Sequence, residues 1–99
     1  MENKDKIGIY RWVNRINNES YIGSSINIRN RLRKYYCKNY LKSKLLIYKS
    51  RIYAALLEYD YSNFNLEILE YCDKNCKTDR EQYYLDLLEP EYNISKTAG

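Results

Sequence analysis

Basic residues give this sequence its strongest chemical signal, because they are gathered in one stretch without acidic neighbours. Nine Lys/Arg and no Asp/Glu lie between Arg29 and Arg51. The net charge of +4 hides this asymmetry, since residues 1–56 carry thirteen basic and three acidic side chains and residues 57–99 carry four and ten. A solvated helix face usually mixes both signs. A stretch of one sign therefore predicts a surface that binds a polyanion such as a nucleic acid.

The residue types that are missing narrow the chemistry further. The chain has no histidine, which excludes a Ser-His-Asp triad and nearly every zinc site. Its three cysteines, Cys37, Cys72 and Cys76, form no CxxC pair, and this indicates reduced thiols in an intracellular compartment. No apolar run approaches the ~20 residues of a membrane span, so we expect no membrane partner. A chain of 99 residues predicts one domain with a single core.

The elements that must position any site follow from hydrophobic spacing. β-Branched and aromatic residues predict strands at 7–13, 20–24 and 64–71, the first two joined as a hairpin. Helical spacing predicts a helix from Ile28 to about Lys38 capped by Asn27, a second capped by Ser50, and a third from Asp73 to about Leu88. Residues 39–48 show no clean period and are interpreted as a basic loop, with a helical turn as the alternative. The order ββααβα predicts a small α+β fold in which three helices flank a three-stranded antiparallel sheet.

The first hairpin also carries a paired motif. Two tripeptides separated by ten residues stand on the predicted neighbouring strands: Gly8-Ile9-Tyr10 and Tyr21-Ile22-Gly23. Together with Arg31, eight residues past the second tripeptide, Glu81 on the last helix and Asn93 near the end, they resemble the GIY-YIG nuclease family. The match covers residues 7 to 94, and two segments resemble the homing endonucleases encoded in fungal mitochondrial introns: 50–73 and 80–99.

The resemblance implies a metal-dependent DNA endonuclease and assigns its parts. It implies Glu81 as the ligand of Mg²⁺, or of Mn²⁺, because a hard cation that keeps its waters takes only one or two carboxylates. The implied catalytic set is Tyr10, Tyr21, Arg31, Tyr35, Glu81 and Asn93. Gly8, Ile9, Ile22 and Gly23 complete the structural motif. The candidate DNA contacts are Arg29, Arg33, Lys34, Lys38, Lys42, Lys44, Lys49 and Arg51.

Each assignment has an ordinary structural alternative. Tyr10 and Tyr21 fit the packing of a sheet face, and an unshifted tyrosine pKa of ~10 makes a poor base at neutral pH. Arg31 fits the basic stretch, although it shares a helix face with Tyr35 rather than with its basic neighbours. Glu81 fits a capping box that begins at Thr78, and Asn93 fits a turn. Several family members have a histidine where this chain has Tyr35, which leaves the proton-transfer group open.

Three functions are compatible with these residues. The first is an endonuclease catalytic domain, spanning 1–99, monomeric in isolation or transiently dimeric on DNA, and mitochondrial by resemblance; the DNA-binding modules that follow it in intron-encoded relatives are absent from this sequence. The second is a nucleic acid-binding module without catalysis, with tyrosines as stacking platforms. The third is a protein-interaction domain whose acidic half meets a basic partner. A divalent-metal requirement separates the first from the other two.

Overall fold

A three-stranded antiparallel sheet with helices on both faces forms the molecule, as seen in a computed structural model that describes residues 6–98. The strand order is β2-β1-β3, so the first strand lies in the centre. Short 3₁₀ turns lie at Tyr61–Asn63 and Lys74–Cys76. The strands and α-helices are β1 (Gly8–Asn14), β2 (Ser20–Ser25), α1 (Ile28–Tyr35), α2 (Lys38–Tyr48), α3 (Arg51–Tyr59), β3 (Phe64–Tyr71) and α4 (Lys77–Leu88). The predicted α+β class and its antiparallel sheet are confirmed.

The central strand is buried on both faces, because helices pack on each side of the sheet. Tyr10 and Trp12 point into the larger core, which α1, α2 and α3 close. Ile9 points to the opposite face and meets Ile22 and Leu85 of α4 in a smaller core. Alternate residues of a strand face opposite ways, so one short strand supplies both cores. The hairpin therefore fixes side chains on two faces of the sheet at once.

Side-chain caps start two of the helices where the sequence predicts them. The Asn27 side chain accepts a hydrogen bond from the Asn30 amide at 3.1 Å. The Ser50 hydroxyl accepts one from the Tyr53 amide at 3.3 Å. Each cap satisfies an amide that would otherwise lack a partner at the helix start, a contact worth about 1 kcal/mol. Both predicted helix starts are confirmed.

The expectation of a basic loop at 39–48 is wrong. These residues form most of α2, so the described residues hold four α-helices in the order ββαααβα rather than three. The helix was hidden because its apolar residues do not form one stripe: Leu41 is fully buried and Leu45 packs on the core, whereas Leu46 and Ile47 are exposed. Leu41 and Leu45, at a spacing of four residues, hold the helix on the core together with Tyr40, whose ring packs against Tyr53.

The last helix starts later than predicted. A 3₁₀ turn occupies Lys74–Cys76, the Asp73 side chain makes no capping bond, and α4 begins at Lys77. Arg80 then makes a two-pronged ion pair with Glu70 of β3, with both N···O distances 2.8 Å. Such a pair fixes orientation as well as distance. It anchors the start of α4 to the sheet beside Glu81.

The chain after α4 covers the outer edge of β2. The Tyr92 amide donates to the Ser20 carbonyl at 2.9 Å, and the Asn93 side chain bonds both backbone groups of Ile22. An uncovered edge strand exposes unpaired backbone groups, and this segment satisfies several of them. Within residues 6–98, no helix is both long and apolar enough to cross a membrane.

Candidate active site

Four tyrosines and one arginine form a connected cluster beside the hairpin. The Tyr10 and Tyr35 hydroxyls lie 2.8 Å apart, and both side chains are almost fully buried. The Tyr10 ring lies 6.4 Å from the Tyr21 ring and 5.7 Å from the Tyr35 ring, centre to centre. The Tyr53 ring packs edge-on against Tyr35 at 5.7 Å. Tyr10 therefore contacts both Tyr21 and Tyr35. Tyr35 occupies the position where several family members have a histidine.

The arginine of this cluster is held by hydroxyl groups. Arg31 Nη2 donates to Tyr53 Oη at 2.9 Å and to Tyr35 Oη at 3.4 Å. Its guanidinium carbon lies 4.8 Å from the centre of the Tyr35 ring. These contacts leave the guanidinium half-buried, without a carboxylate to neutralise it among residues 6–98. A fixed, unneutralised guanidinium suits a phosphate ligand.

Gly23 makes room for the Tyr10 hydroxyl. The two residues are paired across β1 and β2, and a Cβ atom on residue 23 would lie less than 3.0 Å from three atoms of the Tyr10 side chain. The glycine is therefore required by close packing. The second tripeptide ends in glycine because the first ends in a buried tyrosine that points across it.

Replacement of Gly23 by alanine is expected to displace Tyr10. Overpacking of this kind costs about 1–3 kcal/mol, and misplacement of a site group by ~1 Å lowers a rate by about 10²-fold. Thermal unfolding and a DNA-cleavage assay measure the two effects. The matched variant is Gly23→Ala with Tyr10→Phe, in which loss of the hydroxyl relieves part of the overlap and recovers part of the stability. If Gly23→Ala unfolds like the parent protein, the packing explanation is wrong.

Glu81 lies on α4 and reaches the far end of β2. Its Oε1 accepts a hydrogen bond from the Ser24 hydroxyl at 2.6 Å, and Lys77 Nζ lies 3.3 Å from the same hydroxyl oxygen. Within the described part of the chain, Glu81 Oε2 accepts no hydrogen bond. Thr78 lies inside the helix rather than at its cap, so the capping-box alternative does not hold. The carboxylate is half-buried and has one oxygen available to a ligand.

One open cleft joins these residues at the β2 edge of the sheet. It has a volume of about 280 Å³, and Tyr21, Glu81 and Asn93 line it together with Tyr48 and Arg51. Arg31 and Glu81 both lie near enough to Tyr21 to act on its charge, with opposite sign. The cleft therefore brings a phenol and a carboxylate together at the edge strand, and Arg31 lies near Tyr21 without lining the cleft.

Asn93 acts on the cleft by fixing the backbone of Ile22 in β2. Its Oδ1 accepts from the Ile22 amide at 2.9 Å, and its Nδ2 donates to the Ile22 carbonyl at 2.8 Å. This pair of bonds consumes the main polar capacity of a buried amide. The contact fixes the middle residue of the second tripeptide, and no bond joins Asn93 to Arg31 within residues 6–98.

Burial keeps Tyr10, Tyr21 and Tyr35 protonated. Burial raises the pKa of Tyr10 above its ordinary value, and the nearby Tyr21 raises it further, while Arg31 and the Tyr35 hydroxyl lower it. Burial likewise raises the pKa of Tyr35 well above normal, and that of Tyr21 to a lesser extent. The cation beside these phenols does not outweigh the loss of solvation. At neutral pH each hydroxyl is a hydrogen-bonding group rather than a base.

These shifts predict a loss of stability at alkaline pH. The pKa of Tyr10 and of Tyr35 is above 10 in the folded protein and returns to ~10 in the unfolded chain. The stabilising contribution is complete below pH ~10 and falls above it by about 1.4 kcal/mol per pH unit for each tyrosine. Urea unfolding at several pH values above 10 measures the slope. Tyr35→Phe should reduce it and the exposed Tyr71→Phe should not, and equal slopes for all three proteins would contradict the assignment.

Among the basic candidate DNA contacts, Arg51 lines the cleft, and Lys44 Nζ lies 5.7 Å from the centre of the Tyr48 ring, which also lines it. Seven of the eight candidate DNA contacts are exposed and Lys44 is half-buried. Three are engaged elsewhere: Arg33 bonds Asn30, Arg51 bonds the Glu91 carbonyl, and Lys38 lies 3.7 Å from Asp60. Exposed ion pairs are weak, so these side chains can exchange such partners for phosphate.

Comparison with known proteins decides the family. The sequence profile of the GIY-YIG catalytic domain matches residues 6–93. The chain belongs to the GIY-YIG family. The resemblance expected from the two tripeptides is therefore confirmed, and the tyrosine cluster and the cleft belong to a GIY-YIG domain.

Individual relatives agree with this assignment. The GIY-YIG domain is 32% identical over 108 aligned residues to the probable intron-encoded endonuclease bI1 of Neurospora crassa. That alignment covers 99% of this chain and 22% of the fungal protein, so the chain spans less than a quarter of its relative. A variant of the catalytic domain of the intron endonuclease I-TevI is 25% identical with a TM-score of 0.73, over 95% of this chain and 99% of that one. A second I-TevI catalytic domain structure, at 24% identity, has a TM-score of 0.71 over 91% and 99%.

Three residues of the site were not predicted from the sequence. Ser24 binds Glu81, Lys77 lies beside Ser24, and Tyr53 holds Arg31. The ring of Tyr53 packs in the core, as apolar helical spacing would place it, but its hydroxyl reaches Arg31. Ser24 and Lys77 carried a weak signal, because Ser24 directly follows the second tripeptide and Lys77 precedes Glu81 by one helical turn.

Proposed function

We propose that this GIY-YIG domain is a divalent-metal-dependent endonuclease that hydrolyses DNA phosphodiester bonds, as the catalytic domain of an intron homing endonuclease. The observation that carries the proposal is that Tyr21 and Glu81 line one cleft, with the Arg31 guanidinium close enough to Tyr21 to act on its charge. A fixed cation and a lone carboxylate are the groups that phosphoryl transfer requires when a metal ion assists it. The names of the relatives, both intron endonucleases, support the same activity.

The residues of the cleft fit a divalent cation held by one carboxylate. Glu81 has an oxygen without a protein partner among the described residues, and Ser24 fixes the other oxygen. Within residues 6–98 no group of three metal-ligating side chains exists, as expected for Mg²⁺ that keeps most of its waters. When bound, the cation supplies polarisation of the phosphate and charge compensation at the leaving oxygen.

The side chains of the domain position the reaction. Arg31, oriented by Tyr53 and Tyr35, binds a non-bridging phosphate oxygen and stabilises charge that develops there. Tyr21 stays protonated and orients the attacking water, or the phosphate, by a hydrogen bond. Tyr10 is buried, so it acts on the site only through its contacts with Tyr35 and Tyr21. Asn93 holds the Ile22 backbone, and through it the strand that carries Tyr21.

DNA would lie along the basic surface next to the cleft. Such contacts give sequence-independent affinity that falls steeply with salt. A domain with one active site hydrolyses one strand at a time, so we expect nicks before any double-strand break. By resemblance to the family, the ends should carry a 5′-phosphate and a 3′-hydroxyl. The fungal intron-encoded relative and the abundance of Tyr, Asn, Lys and Ile, residues with AT-rich codons, support placement in mitochondria.

Relaxation of supercoiled plasmid at low salt tests the activity. With Mg²⁺ or Mn²⁺ the parent protein should convert supercoiled DNA to nicked circles first and to linear DNA later. EDTA should stop the conversion while a gel-shift assay still shows binding. Tight binding without cleavage in either metal would favour a nucleic acid-binding module instead and would overturn the proposal.

A further inference from the structure

The C-terminal end of α2 exposes large apolar side chains. Leu46 is 86% exposed, and Ile47 and Tyr48 are each 64% exposed. The helix uses Leu41 and Leu45 to contact the core, so the next residues point outward. Lys49 then ends the helix with a left-handed backbone, φ 53°. Contiguous exposed apolar residues usually mark a binding surface.

Leu46, Ile47 and Tyr48 form an apolar corner of the molecule, and the residues around this corner are basic. Lys42, Leu46 and Lys49 follow at spacings of four and three, which places them on one helix face. Lys44 Nζ lies 5.7 Å from the centre of the Tyr48 ring. No acidic residue occurs in the sequence between Glu19 and Glu58. The charge therefore favours a polyanion over another copy of this chain, since two such surfaces would repel each other.

The corner also borders the cleft. Tyr48, Ser50 and Arg51 line the cleft together with Glu81, and Leu46 and Ile47 directly precede them. A duplex seated on the lysines with one phosphate in the cleft would place its bases against this corner. Apolar side chains are poor phosphate ligands, and their favourable contact in DNA is with the faces of the bases.

We infer that Leu46 and Ile47 form a wedge that enters between base pairs of the DNA from the minor groove, beside the bond to be cut. Wedges of this kind unstack a base step and bend the duplex, at a cost of about a few kcal/mol that added contacts offset. The bend would turn the backbone toward the cleft that these residues border. The inference deepens the proposed function and rests on its DNA substrate.

The test measures base unstacking in EDTA, so that it does not depend on cleavage. A short AT-rich duplex carrying 2-aminopurine is titrated with the parent protein, with Leu46→Ser/Ile47→Ser, and with the control Leu87→Ser, which removes a 59% exposed leucine from α4. The parent and the control should raise the fluorescence severalfold. The double variant should lose the rise and bind about tenfold more weakly, with an unchanged salt dependence. Lys42→Ala should instead lower the salt slope by about one while keeping the rise.

The outcomes separate the wedge from the nuclease activity. A fluorescence rise that the double variant abolishes supports the wedge, even if the parent protein cuts no plasmid. If the parent protein cleaves plasmid but does not raise the 2-aminopurine fluorescence, the wedge is overturned and the proposed nuclease function is retained. Equal fluorescence for the parent and the double variant also overturns it. A dimer in sedimentation equilibrium that the double variant dissolves would reassign the corner to a protein interface.

Discussion

Replacement of Arg31 by alanine is expected to lower the rate of DNA cleavage by about 10³-fold, since an arginine placed on a transferring phosphoryl group contributes about 10³–10⁵ to the rate. Arg31→Lys should recover only part of the loss. A lysine keeps the charge but loses the planar fork that Tyr53 and Tyr35 orient. Single-turnover cleavage with saturating protein measures the chemical step apart from binding.

The matched control for Arg31 lies on the same helix. Arg33 is exposed and bonds Asn30, so Arg33→Ala should weaken DNA binding slightly and leave the single-turnover rate within about threefold. Thermal unfolding checks that Arg31→Ala is folded, because two tyrosine hydroxyls lose a donor. Equal losses of rate in the two variants would place Arg31 among the general DNA contacts and remove it from the catalytic set.

Replacement of Glu81 by glutamine is expected to lower cleavage by about 10²–10³-fold at fixed Mg²⁺, because the carboxamide is a poor ligand for a hard cation. The amide oxygen can still accept the Ser24 hydrogen bond, so the fold should survive. Plasmid nicking across a range of Mg²⁺ concentrations measures the effect. Partial recovery at high metal concentration would show that the loss arises from metal affinity.

The control for Glu81 is a surface glutamate. Glu58 is exposed on α3, and Glu58→Gln changes the net charge by the same amount. It should nick DNA like the parent protein, or slightly faster because a like charge near DNA is removed. Glu81→Gln at the parent rate would refute the assignment of Glu81 as the metal ligand.

The sequence predicted the parts of the fold that depend on local patterns. The strands of the hairpin, the Asn27 cap and the Ser50 cap each depend on a few neighbouring residues, and all three were confirmed. Helix α2 was missed because Tyr40, Leu41 and Leu45 pack on the core while Leu46, Ile47 and Tyr48 are exposed, so its apolar residues form no single stripe. Helix α4 starts late because a 3₁₀ turn occupies Lys74–Cys76, and the ion pair that holds this helix on the sheet joins Arg80 to Glu70 of β3, a contact between two elements that no local pattern reveals.

The candidate site was predictable as a set of positions but not as a network. The spacing of the tripeptides with Arg31 and Glu81 identified residues that the fold brings to one cluster and cleft. The spacing could not show that Tyr10 is buried against Gly23 and linked to Tyr35. Nor could it show that burial outweighs Arg31 and keeps the tyrosine pKa values high. Because these raised pKa values disfavour a tyrosinate at neutral pH, Tyr10 and Tyr35 do not act as the resting general base.

Metal-assisted attack of water on a DNA phosphodiester, at the cleft that Tyr21 and Glu81 line beside Arg31, is the reaction proposed for this domain. Cleavage of an end-labelled duplex in ¹⁸O-water, with Mg²⁺, by the parent protein and by Glu81→Gln is its sharpest test. The parent product should carry one ¹⁸O on its 5′-phosphate, and Glu81→Gln should form little product while it still binds the duplex. Label on a 3′-phosphate, or parent protein that binds DNA and forms no product, would refute the proposed reaction.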